Sequence, residues 1–304
     1  MKIILSRKGI DGGNGGTPSP LIKNSINEWV PVSIPIGGGS EKRRYHEVSI
    51  HGYKLYELAK SLGVKGKQGQ EINSESRVHF DPDLDPRSIR RNKDWRPMFG
   101  QCNAALGHLI KQGVGRGDLF LFLGWFMEAN YTDNRASYEE NNNPNGVHGF
   151  FGWLQVEEFW DVANKPMTKS MKEYPSWAWE HPHFRDGGDC GYGRIYIATK
   201  KLAVGDKTYD LPGAGVFWRF TEKTQLTRNG EKRSIWKLPD FFHNTRESFL
   251  SYHGNAERWE HQENSWRLES VARGQEFVFD TNKLNPTERK AAWHWAIDLI
   301  QEHA

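Results

Sequence analysis

Two apolar runs rich in aromatic residues restrict the fold of this 304-residue chain more than any other feature. Residues 119–126 have the sequence LFLFLGWF, and residues 148–156 have the sequence HGFFGWLQV. A continuous apolar run of this length, bounded by turn-forming residues, is typical of a strand buried on both faces. The Asn-rich residues 130–145 lie between the runs and predict a connecting loop. The two runs therefore predict an antiparallel pair of core strands.

The remaining patterns add helices and further strands to this pair. Helical spacing of apolar residues predicts helices at residues 51–62, 99–111 and 286–302. Short apolar runs between turn signals predict strands at residues 2–6, 194–198, 216–220 and 273–280. No internal repeat or low-complexity linker divides the chain. We therefore expect an α+β fold in a single compact domain spanning residues 1–304.

Composition limits the class of protein. No run approaches the ~18 apolar residues that a membrane helix requires, and the opening MKIILSRKG has too short an apolar core for a signal peptide. Two cysteines, Cys102 and Cys190, are too few for a disulfide framework or a four-cysteine zinc site. These features predict a soluble cytoplasmic protein. The net charge of +3 neither demands nor excludes a nucleic-acid partner, and the oligomeric state stays open.

Two early loops carry the candidate acids. Asp11 is the only acid in a glycine-rich stretch that follows the first predicted strand. A phosphate-binding loop would need a helix directly after the glycines, and Pro18 and Pro20 disfavour one. Asp81 and Asp83 belong to HFDPDLDP, an extended loop stiffened by two prolines. A helix-capping turn is the structural alternative for this second loop, and a metal site without a partner cluster is weakly supported.

The predicted helix at residues 99–111 has an open polar face. Gln101 and His108 lie two turns apart on one stripe, with small alanines between them. Such a face suits a ligand, with Gln101 able to read an amide or base edge. A structural histidine is the alternative for His108.

The 13 tryptophans exceed the number that a core of this size needs, so some are expected to line a pocket or to present a stacking surface. The candidates for a wall that sandwiches a base or an attached sugar are Trp125, Trp153, Trp177 and Trp179. Core packing is an equally good interpretation of each ring. His181 and His183 flank Pro182 at a spacing that suggests a metal, but no cysteine or carboxylate set completes a site. We therefore assign both histidines to substrate binding and predict no metal.

Five segments, in order along the first half of the chain, resemble the third nucleotide-modification-associated domain family. These segments are IILSRKGID with the glycines after it, HFDPDL, WRPMFGQ, GDLFLFLGWF and HGFFGWLQV. The family is associated with phage and bacterial systems that install or attack hypermodified bases. It is similar to defence glycosylases that excise sugar-bearing pyrimidines from phage DNA. Arg7 and Lys8 of the opening segment become candidate substrate-binding residues through this resemblance.

The two aromatic runs also look like the two-strand core of PUA, ASCH and EVE β-barrels, which hold a flipped or modified base. The resemblance therefore implies a mixed or antiparallel, barrel-like (PUA-like) core with flanking helices.

Taken with these patterns, the resemblance implies a DNA glycosylase that hydrolyses the base–sugar bond of a hypermodified base, such as a glucosylated pyrimidine, and leaves an abasic site. Such an enzyme must hold an extruded nucleotide, stabilise a cationic sugar and position a water molecule. The predicted catalytic residues are Asp11, Asp81, Asp83 and His108. The expected partner is double-stranded DNA with modified bases in antiviral defence, and no cofactor is expected. A non-catalytic reader of modified bases and a base-modifying transferase remain as alternatives.

Overall fold

The fold is built on one large sheet with helices on its faces and edges. The computed structural model describes the whole chain except residues 40, 140–144, 164–173, 180, 185–191 and 244–247. Within the described residues there are three α-helices: α1 Leu55–Ser61, α2 Asn103–Lys111 and α3 Pro286–His303. The strands are β1 Ile3–Arg7, β2 Ser19–Lys23, β3 Trp29–Pro31, β4 Ser49–Ile50, β5 Tyr53–Lys54, β6 Met98–Cys102, β7 Leu119–Thr132, β8 Arg135–Tyr138, β9 Val147–Ala163, β10 Tyr192–Ala198, β11 Lys201–Val204, β12 Lys207–Pro212, β13 Ala214–Val216, β14 Ile235–Pro239, β15 Trp259–Gln262, β16 Ser265–Glu269 and β17 Glu276–Phe279.

The two aromatic runs form the centre of the sheet. The strand order is β17-β1-β7-β9-β10-β6, with β1 and β2 parallel to β7 and the other pairs of this sheet antiparallel. In the register of β7 and β9, Phe120 lies opposite Leu154. The predicted antiparallel core pair is therefore confirmed. The predicted loop at residues 130–145 is partly wrong, because β7 continues to Thr132 and turns back into β8.

The sheet is open in the part of the chain that the structure describes. Strands β17 and β6 lie at opposite ends of the strand order and do not pair with each other. A closed barrel would require its terminal strands to pair. The α+β class is confirmed, whereas the PUA-like barrel is not.

Both faces of β7 are buried, which explains its continuous apolar sequence. Successive side chains of a strand point to opposite faces. Leu119 and Leu121 accordingly join a core with Leu299 of α3, while Phe120 and Phe122 join a second core on the other face. Hydrophobic burial on both sides makes β7 the rigid centre from which the site is positioned.

The termini of the predicted helices show how local signals and tertiary pairing compete. Helix α3 matches its prediction: Asn285 Oδ1 accepts hydrogen bonds from the backbone N–H groups of Thr287 and Glu288. The predicted helix at residues 99–111 is wrong at its start, because residues up to Cys102 form β6 and pair with β10. Gln101 therefore lies on a strand and does not share a helical face with His108.

No helix among the described residues is long and apolar enough to cross a bilayer. Cys102 is disulfide-bonded.

Candidate functional site

A cavity of about 860 Å³ opens where several strands of the large sheet end or begin. Its wall is formed by the last residues of β1 and β6, the first residues of β9, the glycine loop after β1 and the loop before β17. The volume lies in the upper part of the range typical of small-molecule sites. Seven of the predicted site residues line this cavity: Arg7, Lys8, Asp11, Asp81, Gln101, Trp125 and His183.

Asp11 lies in the glycine loop with one carboxylate oxygen fixed. Its Oδ1 accepts hydrogen bonds from the backbone N–H groups of Gly13 at 2.8 Å and Asn14 at 2.7 Å. Every hydrogen bond that other described side chains or backbone groups make to this carboxylate goes to Oδ1. The loop therefore orients Asp11 and leaves Oδ2 available on a cavity wall.

Two arginines supply positive charge to the same cavity. Arg7 Nη2 donates to the carbonyl oxygen of Gly274 at 2.7 Å. The guanidinium of Arg233 lies over the ring of Trp125, 3.9 Å from its centroid. Burial lowers the pKa of both arginines, and the Coulomb attraction of Asp11 opposes this effect. The Asp11 carboxylate and the two guanidinium groups therefore attract one another across this cavity. The sequence did not single out Arg233, because this residue lies in a stretch of charged residues without a distinguishing motif.

Lys8 and Gln101 are held together by a buried acid that the sequence did not single out. Lys8 Nζ and Gln101 Nε2 each donate to Glu276 Oε1 at 2.6 Å. Glu276 is 1% exposed, and its Oε2 has no hydrogen-bond partner among the described residues. This arrangement fixes the amide of Gln101 at the cavity wall.

His148, at the start of β9, is another residue that sequence reasoning missed. Its Nδ1 accepts a hydrogen bond from Trp236 Nε1–H at 3.0 Å. Burial, and then the positive charges of Arg7 and Arg233, hold the pKa of His148 well below its usual value. The neutral ring therefore carries its proton on Nε2, so it offers a hydrogen-bond donor at the cavity wall.

Asp81 also lines the cavity, and it lies among three histidines. Its Oδ1 accepts hydrogen bonds from the Gly100 backbone N–H at 2.9 Å and from His181 Nε2 at 3.2 Å. Its Oδ2 lies 3.4 Å from His183 Nε2 and 3.9 Å from His79 Nε2. Burial alone would raise the pKa of Asp81, but the contacts with His181 and His183 hold it well below its usual range. The group is therefore an anion among imidazoles.

The elements around Asp81 explain how these side chains meet. Pro182–Phe184 forms a short 3₁₀ turn that packs against β6 and β10 and presents His183 to the cavity. A Cβ at Gly100 would lie 2.2 Å from His183 Cδ2 and 2.8 Å from His181 Cε1. Only glycine at this position of β6 leaves room for the two rings.

Asp83 and Trp177 lie elsewhere. Asp83 forms a two-bond ion pair with Arg91, including a 2.7 Å bond from Nη1 to Oδ2. Asp83 and Trp177 line a separate cavity of about 290 Å³, and His181 reaches the same cavity while contacting Asp81. The predicted catalytic acid Asp83 is thus placed outside the large cavity, in a pairing that holds it fixed.

Three more predicted residues do not reach the large cavity. Trp153 is buried in the core and stacks on Phe217 with ring centroids 5.4 Å apart. Trp179 Nε1 donates to the Tyr174 carbonyl oxygen. His108 Nε2 lies 2.9 Å from Ser251 Oγ, and His108 is not among the residues that line the large cavity. These placements do not support catalytic or binding roles for the three side chains in this cavity.

The sequence also matches a known family over most of its length. A family model described as nucleotide modification associated domain 3 matches residues 2–280. The chain belongs to this family. No curated protein and no solved structure matches the chain.

The family match contains the whole cavity. The lining residues run from Arg7 to Gln275, inside the matched range, whereas α3 lies beyond it. The whole cavity therefore lies within the part of the chain that the nucleotide modification associated domain 3 family model matches, and α3 lies outside that part.

Proposed function

We propose that this member of the family binds an extruded, modified nucleotide of DNA in the large cavity and hydrolyses its base–sugar bond. The observation that carries the proposal is the orientation of Asp11, whose loop fixes Oδ1 and leaves Oδ2 available. An oxocarbenium-like sugar needs a carboxylate of this kind nearby. The substrate class that we propose is a sugar-bearing pyrimidine in phage DNA, attacked as an antiviral defence.

The rest of the cavity wall is suited to a nucleotide. Arg7 and Arg233 supply positive charge for a phosphate. The flat ring of Trp125 can stack on a base, since stacking tolerates every base. Gln101 and His148 present fixed polar groups that can orient the base. A volume of about 860 Å³ leaves room for a substituent on the base.

In the proposed reaction, the bond between C1′ and the base nitrogen breaks and a water oxygen bonds to C1′. Asp11 stabilises the cationic sugar and orients the water, and the proton that the water loses ends on the departing base. Asp81 is engaged by Gly100 and three histidines, so we assign it a supporting role in place of the predicted catalytic role. This assignment makes Asp11 the decisive residue.

The test compares Asp11→Asn with Asp298→Asn, an exposed carboxylate on α3. Both proteins are incubated with phage DNA carrying glucosylated hydroxymethylcytosine and with unmodified DNA, and alkali-labile strand breaks are counted. We expect breaks only in modified DNA, a loss of roughly 100-fold or more in Asp11→Asn, and full activity in Asp298→Asn.

Three outcomes would contradict the proposal. Full activity of Asp11→Asn would reject the assigned acid. Tight binding of modified DNA without strand lability would favour a reader of modified bases. A gain in base mass when a sugar nucleotide is added would favour a transferase.

A further inference from the structure

We propose that His79, Asp81 and His183 bind one divalent transition-metal ion at the wall of the large cavity. This inference goes beyond the proposed function, because metal binding is measured without any DNA substrate. It also replaces the expectation of no metal. That expectation rested on the absence of a carboxylate partner for His181 and His183, and Asp81 supplies one.

The three ligand atoms converge on one point. One ligand atom from each of His79, Asp81 and His183 lies within 4.8 Å of the other two. Bonds of about 2.0–2.2 Å from an ion to such atoms place neighbouring ligands roughly 3.0–3.5 Å apart. The Oδ2 distances of 3.4 Å to His183 and 3.9 Å to His79 need only a small contraction to meet this geometry.

Direct hydrogen bonds do not explain the distances between the same three ligand atoms. Both Oδ2 distances exceed the usual N–H···O range of about 2.7–3.2 Å. Asp81 is nevertheless buried, and its other oxygen already has two donors. An ion between Oδ2 and the two ring nitrogens would bond directly to all three atoms.

The groups behind the ligands have the arrangement expected around a metal. His79 Nδ1 lies 2.8 Å from Glu41 Oε1, which leaves Nε2 directed towards Asp81. A histidine ligand that donates its second ring N–H to a carboxylate is a common feature of metal sites. His181 Nδ1 accepts from the His183 backbone N–H at 3.3 Å, so its Nε2–H donates to Asp81 Oδ1. The second oxygen of Asp81 is thereby kept for the ion.

The donor set indicates the class of ion. Two imidazole nitrogens and one carboxylate oxygen suit Zn²⁺, Fe²⁺ and similar first-row ions, whereas Ca²⁺ and Mg²⁺ prefer oxygen ligands. Three protein ligands leave at least one coordination position open. Because all three ligands line the cavity, that position faces the bound molecule. A water molecule or a substrate oxygen is the expected fourth ligand.

The experiment uses the full chain after removal of metal with a chelator. Zn²⁺ content is measured by elemental analysis after dialysis, and Co²⁺ is titrated as a spectroscopic probe. We expect one ion per chain and visible d–d absorption with Co²⁺. His183→Gln should weaken Co²⁺ binding roughly 100-fold or more, and Glu41→Gln by about 10- to 100-fold.

His294→Gln is the matched control, because this histidine is exposed on α3. It should bind Co²⁺ as the unaltered protein does. If His183→Gln fails to fold, His79→Gln removes a less buried ligand and provides the same comparison. Less than one tenth of an ion per chain, or binding unchanged in the ligand variants, would overturn the proposal. Metal binding without abasic-site formation would reject only the proposed function.

Discussion

Asp81 and Asp83 lie two residues apart in one loop, and both are buried, yet their surroundings have opposite effects on them. Contacts with histidines hold the pKa of Asp81 well below its usual range despite burial. Burial raises the pKa of Asp83, although Arg91 opposes the rise. Asp83 also exchanges both backbone hydrogen bonds with Met98, at 2.9 Å each. Asp83 is thus part of the framework, whereas Asp81 presents an oxygen to the cavity.

The contrast shows that the hydrogen-bond and ion-pair partners of a buried carboxylate determine whether it can bind a further ligand. Arg91 is a permanent cation with a fixed two-bond geometry, so Asp83 has no oxygen left for another ligand. Imidazoles can be neutral and can accept as well as donate, so the partners of Asp81 can share an ion with it.

Among the substitutions that test this contrast, Asp83→Asn is expected to have the largest effect on stability. Removal of one partner of a buried ion pair leaves the charge of Arg91 uncompensated, which costs roughly 3–5 kcal/mol of folding free energy. Urea unfolding measures the loss, and Co²⁺ titration of the folded protein should be unchanged. A loss of Co²⁺ binding without a loss of stability would place Asp83 in the site and reverse the comparison.

Gly100→Ala tests the packing on the Asp81 side. The added methyl group would lie 2.2 Å from the ring of His183, so the ring must shift. We expect a destabilisation of about 1–3 kcal/mol and a Co²⁺ affinity that is lower by about tenfold. Unfolding curves and Co²⁺ titrations measure the two effects.

Gly107→Ala is a control that we expect to stabilise the protein, whereas Gly100→Ala should destabilise it. Gly107 lies within α2, and a Cβ there would meet nothing within 4 Å. Alanine is favoured over glycine in a helix by up to about 1 kcal/mol. Equal changes in unfolding free energy for Gly100→Ala and Gly107→Ala would show that the ring of His183 does not restrict the side chain at position 100.

The smallest expected effect concerns His253, a buried histidine outside the Asp81 cluster. Its Nδ1 donates to the Ser251 carbonyl oxygen at 2.9 Å, and its Nε2 accepts from the Val271 backbone N–H at 3.2 Å. Burial lowers the pKa of His253 to about 4. The unfolded ring takes up a proton near pH 6.5 and the folded ring does not. The stability that His253 contributes is therefore complete above pH 6.5 and is lost as the pH falls towards 4.

The slope for this one group is at most about 1.4 kcal/mol per pH unit. Urea unfolding at pH 7, 6 and 5 should show a smaller decrease in His253→Gln than in the unaltered protein. Identical pH dependence in the two proteins would show that the ring of His253 is not held neutral by the fold.

Several features of the site followed from local sequence. The glycines around Asp11 predicted a loop, and the prolines of HFDPDLDP predicted an extended segment. Asp11 and Asp81 do line one cavity, together with Gln101, Trp125 and His183. The error at Gln101 had a physical cause, because hydrogen bonding of β6 to β10 outweighed its helical apolar pattern. Trp153 had the same local signals as Trp125 but lies in the core.

The sequence by itself determined the elements whose signals are local or periodic: the apolar pair β7 and β9, the capped helix α3 and the family of the chain. Only the tertiary structure decided which groups meet at the cavity. Asp81 and His183 are about a hundred residues apart in the chain, and the pairing of β6 with β10 together with the turn at His183 brings them within 3.4 Å. An ion site requires ligand atoms that are placed to within a few tenths of an ångström. The register of paired strands fixes side-chain positions in this way, whereas the spacing of residues along the sequence does not.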